Sequence, residues 1–210
     1  MKLLNELFAE VLLDIKAVKL QPDNPFTWAN GWQCPIYFDS RKLLSYPRTR
    51  RLLRVEMSRV MLERYPDAEV IAAVAPNAIA LGMLVADELG LNFVYVNPTP
   101  KDHGLENSIE GDLKPRQKVV IIDDQISVGF RCTRVKTVLE EDGSEVIGMI
   151  AMFNYDLAEG AESLRKAGLV YYTLTNFHDI VKKLQERRAV SAAVLAKIEK
   201  WQNDPAKWKK

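Results

Sequence analysis

From Glu69 onward, short apolar runs alternate with helix-length amphipathic segments, and no other feature restricts the possible folds as strongly. Glu69–Ala75 (EVIAAVA), Asn92–Val96, Lys118–Asp123 (KVVIID), Glu145–Phe153 and Val170–Thr175 read as strands. Ala78–Leu89 closed by Gly90, Cys132–Glu141 ended at Asp142–Gly143, and a segment reaching Ala167 read as the intervening helices. Strands joined by helical crossovers lie parallel, with helices covering both faces of the sheet. The expected architecture is therefore α/β: a mainly parallel sheet of five strands or slightly more. Ligands of such sheets bind beyond the carboxyl ends of the strands. Chemistry is thus expected in the loops after Ala75, Val96, Asp123 and Phe153.

The flanking segments read differently. Leu3, Leu4, Leu7, Phe8, Val11, Leu12 and Ile15 recur at helical spacing and predict an opening amphipathic helix. Phe26–Trp28 and Pro35–Phe38 are β-prone and flank Asn30–Gly31, which predicts a hairpin between them. Pro47 stands at a helix start, and that helix runs to Arg64 before Tyr65–Pro66–Asp67 ends it. Two helical stretches close the chain, and the polar, basic tail Trp201–Lys210 reads as a frayed end. With no internal repeat or low-complexity linker, the expectation is one domain. It comprises an N-terminal helix and hood (1–46), a core (47–175) and C-terminal helices (176–210).

Composition excludes several classes. Hydrophobic residues are 48% and charged residues 27% of the 210, the balance of a folded globular chain rather than a disordered one. Lys plus Arg is 29 against 28 for Asp plus Glu, so the basic excess of a nucleic-acid partner is missing. Cys34 and Cys132 lie far apart and form neither a metal-ligand spacing nor a disulfide framework. They read as small buried hydrophobes in a reduced, cytoplasmic setting. Acids interrupt the N-terminal apolar stretch, unlike a secretory signal, and no apolar run approaches a membrane span.

Three loops carry the candidate chemistry. Asp123 and Asp124 end the most apolar strand, where they are expected to project into the crevice. Gln125–Arg131 then leads into a helix whose N-terminus can hold a phosphate. Acids beside a phosphate site suit a ribose diol or a Mg²⁺ shared with phosphate oxygens; the plain alternative is a strand end capping a helix. Asn97–Asn107 is a long, proline-stiffened loop in which Lys101 and His103 offer positive charge and a proton donor. The aromatic stretch Phe26–Arg41 either stacks on a planar ring or packs against the sheet. His178 reads as an ordinary helix-start residue.

Taken together, FTWANGWQCPIYFDSRKLLSYP, LGMLVADELGLNFVYV, PKDHGLENSIEGDLKP, VVIIDDQIS, EVIGMIAMFNYD and YYTLTN resemble, in order, the orotate phosphoribosyltransferases. These are type I phosphoribosyltransferases of pyrimidine nucleotide synthesis, and the likeness runs over residues 3–180. It implies that orotate and 5-phosphoribosyl diphosphate are joined to give orotidine monophosphate and diphosphate, with Mg²⁺. It maps the ribose-binding acids onto Asp123 and Asp124, and the catalytic-loop residues onto Lys101 and His103, with Asp124 also catalytic. Ser127, Gly129 and Arg131 fall on the phosphate loop, and Phe26, Tyr37 and Arg41 on the hood as substrate-binding candidates. The metal is expected to be held mainly through substrate, with Asp123 or Asp124 assisting. The resemblance also implies a homodimer in which Lys101 reaches the neighbouring site.

The sequence departs from the family pattern where anions bind. Val128, Phe130 and Arg131 replace small or hydroxyl residues, and Pro76 removes one N–H donor after the first core strand. Asn97 and Thr99 stand where relatives carry an arginine and a lysine, and Gln33 and Cys34 replace a lysine and a serine. If the Phe130 ring fills the pocket, phosphate is excluded; if it turns outward, the site stays open. The alternative function is a paralogue that binds a nucleotide or nucleobase with weak or absent catalysis.

Overall fold

The computed structural model describes residues 4–99 and 108–208. Helix α1 (Leu4–Asp14) buries Phe8, Ala9 and Leu12 along its apolar stripe. Four short strands follow: β1 (Val18–Leu20), β2 (Phe26–Thr27), β3 (Gln33–Cys34) and β4 (Ile36–Phe38). A 3₁₀ turn over Ser40–Ser45 leads to α2 (Pro47–Arg64), whose proline takes the first helical position, where no N–H is needed. The alternating region then supplies β5 (Val70–Val74), α3 (Ile79–Leu89), β6 (Asn92–Val96), β7 (Ile109–Glu110), β8 (Lys118–Ile126) and α4 (Phe130–Glu141). It ends with β9 (Glu145–Asn154), α5 (Ala158–Lys166), β10 (Tyr171–Asn176), α6 (Phe177–Glu186) and α7 (Ala192–Asn203).

Six strands form one sheet in the order β10-β9-β8-β5-β6-β7. All neighbours are parallel except β7, which runs antiparallel to β6. The expected mainly parallel sheet flanked by helices is therefore present. Strand β8 lies inside it, and Val119–Ile122 are fully buried, because a strand covered on both faces must be apolar throughout. It continues past Asp123 to Ile126, held by pairing of Gln125 with Phe153 and Ile126 with Asn154. The acids therefore sit within the ladder rather than after it.

The hood is wired differently from the hairpin expectation. The Trp28–Gly31 turn joins β2 to β3, pairing Phe26 with Cys34 and Thr27 with Gln33. The Pro35–Phe38 piece instead pairs with β1, matching Leu20 to Ile36 and Val18 to Phe38. Ile36 and Phe38 are both buried with Tyr37 between them, so β4 needs one face on the core, which the tip of a free hairpin does not provide. Phe38 closes the hood onto the sheet: its ring lies 4.9 Å from that of Phe153, and its N–H donates to the Tyr155 hydroxyl at 3.0 Å.

The C-terminal segment also differs from expectation. Trp201 is fully buried in α7, its ring 5.7 Å from Trp28 and 5.9 Å from Tyr155, and Trp208 is buried as well. The polar count of this segment concealed two indoles that the core absorbs, so it is not a frayed end. Helix α6 begins with reciprocal capping: Asn176 accepts from the Asp179 N–H, and the Asp179 carboxylate accepts from the Asn176 N–H. His178 lies in its first turn, as read from the sequence. Among the described residues no helix is long and apolar enough to cross a membrane.

Candidate active site

The centre of the site is the carboxyl end of β8. Asp123 and Asp124 are 0% and 1% exposed, so burial overrides the expectation that they project openly into the crevice. Asp123 Oδ1 accepts from the Asp124 N–H at 2.8 Å, and its Oδ2 accepts from the Cys132 thiol at 3.3 Å. Asp124 Oδ2 accepts from the Ser40 hydroxyl at 2.6 Å, which ties the hood to the strand end. One guanidinium serves both acids: Arg131 Nη2 lies 3.3 Å from Asp123 Oδ1 and 3.7 Å from Asp124 Oδ1. Asp124 Oδ1 has no hydrogen-bond partner. Burial, reinforced by the Asp124 charge, pushes the Asp123 carboxyl well above the usual range although Arg131 pulls the other way. Burial likewise raises the Cys132 thiol, so both cysteines are buried and neither is an activated thiolate.

The loop after β8 makes a sharp turn into α4. Gly129 occupies the position before the helix at φ 80°, a left-handed conformation that disfavours a side chain. No side chain caps this helix start, so its first N–H groups stay available to an anion. Helix α5 presses against the loop from behind. A Cβ added at Gly160 would lie 2.1 Å from the Ser127 carbonyl oxygen, so only glycine allows this approach. The Phe130 ring is 67% exposed and stands on the rim of the cleft. It does not fill the space in front of the α4 start, so the steric objection raised by the sequence does not apply there.

These residues border a cleft of about 550 Å³ that also receives Tyr37, Gln125 and Tyr155. Of the residues singled out in the sequence, Tyr37, Ser127, Gly129 and Arg131 line it. Asp123 and Asp124 lie just beneath, behind Arg131. Phe26 packs on Tyr37 in a tilted contact, with ring centroids 5.2 Å apart, and does not line the cleft itself. Arg41 is exposed and bound to Asp39 at 3.1 Å, away from the lining. Trp28 packs edge-on against Tyr155, the plainer of the two roles open to the hood aromatics. Lys101 and His103 lie outside the described residues; the root of their loop is held by Asn97 N–H donating to the Ser108 carbonyl at 2.8 Å.

Tyr155 and Gly160 escaped the sequence reading, and Ser40 and Gln125 fell inside candidate stretches without being given a role. Ser40 and Asp124 are separated by 84 residues, and no spacing rule connects them. Gly160 did leave a signal, a glycine inside a helical pattern, which commonly marks close packing.

A parallel sheet with a hood over its carboxyl edge, paired acids and an open helix start behind them defines a type I phosphoribosyltransferase. The orotate phosphoribosyltransferase of Phocaeicola vulgatus is 48% identical over 208 residues, covering 99% of this chain and 98% of that one. The solved structure of Leishmania donovani UMP synthase overlays with a TM-score of 0.80 at 25% identity, over 94% of this chain and 42% of that longer one. That of the Aeropyrum pernix orotate phosphoribosyltransferase gives 0.72 at 23% identity, over 85% of this chain and 99% of that one. No family model matches the chain. The chain belongs to the orotate phosphoribosyltransferase family.

Proposed function

We propose that this protein is a glycosyltransferase that joins orotate to 5-phosphoribosyl diphosphate, giving orotidine monophosphate and diphosphate. The observation that carries this reading is the open cleft, lined by an uncapped helix start with the β8 acid pair just beneath it and the Phe130 ring turned aside. The 5′-phosphate sits on the N–H groups of the Ser127–Arg131 loop, and the ribose hydroxyls donate to Asp123 and Asp124. Tyr37, backed by Phe26, receives the planar base; Arg41, held by Asp39 away from the lining, is not assigned to it. The transition state is oxocarbenium-like, so the protein must hold both reacting partners in line, exclude water and neutralise the leaving diphosphate. Lys101 and His103 are assigned that last task.

Magnesium fits this donor set. The acid pair offers hard oxygen ligands, and Asp124 Oδ1 is a buried carboxylate oxygen without a hydrogen bond. Among the described residues no group of three or more His, Cys, Asp or Glu converges, so substrate and water complete the coordination. Bound there, the ion supplies charge neutralisation at the diphosphate. The protein is further assigned to the cytoplasm and to a homodimer in which Lys101 acts on the neighbouring site.

The test is formation of orotidine monophosphate by the purified chain with both substrates and Mg²⁺. Turnover of roughly 1–10³ s⁻¹ supports the reading. Tight nucleotide binding with no product at any protein concentration would leave the non-catalytic paralogue standing instead.

A further inference from the structure

Arg131 lines the cleft, yet its guanidinium points inward onto the two carboxylates. On the cleft side the acids that should receive ribose hydroxyls are thereby covered: both are almost wholly buried and neither borders the cleft, whereas Arg131 is 35% exposed; Asp124 reaches only a small cavity on its other side, beside Ser40 and Asn77. The cover is incomplete in charge. One guanidinium is divided between two carboxylates, and at 3.7 Å it makes no hydrogen bond to Asp124 Oδ1. Arg131 is also the second residue of α4, so its side chain is rooted in the turn whose N–H groups face a bound phosphate. A phosphate dianion there offers the guanidinium a bidentate partner of higher charge than either shared carboxylate.

Resting on the transferase reading above, we propose that Arg131 is a latch that makes recognition of the sugar conditional on its 5′-phosphate. In the free protein it closes over Asp123 and Asp124. A 5′-phosphate draws it outward, and the same movement exposes the acids to the ribose hydroxyls. A ligand with the ribose but no phosphate must break the Arg131–carboxylate contacts with nothing to replace them. Selectivity thus arises from an internal competitor as well as from a direct contact.

Calorimetric titration of the full chain with orotidine monophosphate and with orotidine, its unphosphorylated nucleoside, tests this. In Arg131→Gln, which removes the charge but keeps a polar side chain, the monophosphate should bind roughly ten- to a hundredfold more weakly, the value of one or two charge-assisted contacts. Orotidine should bind several-fold more tightly than it does to the unmodified protein. Arg131→Lys should recover part of the monophosphate affinity. Opposite movements of the two ligands cannot come from a general loss of structure. If orotidine affinity is unchanged or falls while monophosphate affinity drops, Arg131 contacts phosphate but is no latch, and the proposal is overturned. If the unmodified protein binds neither ligand, the transferase reading fails and the latch with it.

Discussion

At the carboxyl end of β8 two carboxylates share one guanidinium, whereas between α1 and α6 one ammonium is shared by three carboxylates. Lys183 is 4% exposed, nearly as deep as Asp123 and Asp124. It lies 2.7 Å from Glu186, 3.3 Å from Glu6 and 3.7 Å from Glu10. Lys182 adds a second cation on Glu6. The hydrogen bond with Glu186 raises the Lys183 ammonium, and hydrogen bonds from Lys182 and Lys183 hold Glu6 low. A raised lysine stabilises the fold until pH climbs through its folded value, and a lowered glutamate until pH falls through its own. Both contributions are present at neutral pH. Asp123 has the reverse sign: its raised carboxyl favours the fold only in acid, and that contribution is lost as pH rises. A buried charge with a surplus of partners holds helices together. A buried charge short of partners is a standing demand for a ligand.

Asp124→Asn should produce the largest effect. It removes a carboxylate that the proposed function assigns to the ribose hydroxyls, and on that reading product formation should fall roughly 10²–10³-fold, the scale of losing one transition-state contact. Thermal melting should stay level or rise, because an under-partnered buried charge is gone. A clear fall in melting temperature would place this acid with the structural cluster and break the comparison.

Asp156 tests the same rule away from the acid pair. Burial pushes its carboxyl up to about 6, with His178 at 3.9 Å drawing it down only partly. Its favourable contribution is therefore present below about pH 4 and lost between there and about pH 6. Asp156→Asn should raise stability at pH 7 by about 1–3 kcal/mol and flatten the stability profile across that window. Denaturant unfolding at pH 4 and at pH 7 measures both, and equal stability changes at the two values would refute the assignment.

The smallest effect on catalysis should come from Lys183→Met. Glu6, Glu10 and Glu186 would lose their common partner, so the melting temperature should drop at neutral pH and recover in part as acid neutralises them. Product formation below the melting temperature should stay close to that of the unmodified protein. A strong loss of turnover there would mean that the α1–α6 junction feeds the site.

The parallel sheet was legible because strands buried on both faces are apolar without interruption, as VVII in β8 and VIAAV in β5 are. The turn between β8 and α4 was legible because its chemistry is local: Gly129 has to adopt a left-handed conformation between a strand and a helix. The hood was misread because β4 chooses its partner by where Ile36 and Phe38 can be buried, and the nearest turn signal carries no information about that. The tail was misread for a related reason, since Trp201 amid lysines becomes core only when Trp28 and Tyr155 come to meet it.

By itself, then, the order of residues determined the α/β layering, the position of Asp123 and Asp124 toward the carboxyl end of a strand and the glycine turn that follows. These depend on periodicity and backbone sterics within a few residues. Only the tertiary structure decided that Phe130 faces solvent, that Ser40 reaches Asp124 across the fold and that Arg131, in the cleft wall, turns its guanidinium onto the acids. Those outcomes depend on which groups converge from distant segments, and on the cost of burying a carboxylate whose nearest cation is already shared.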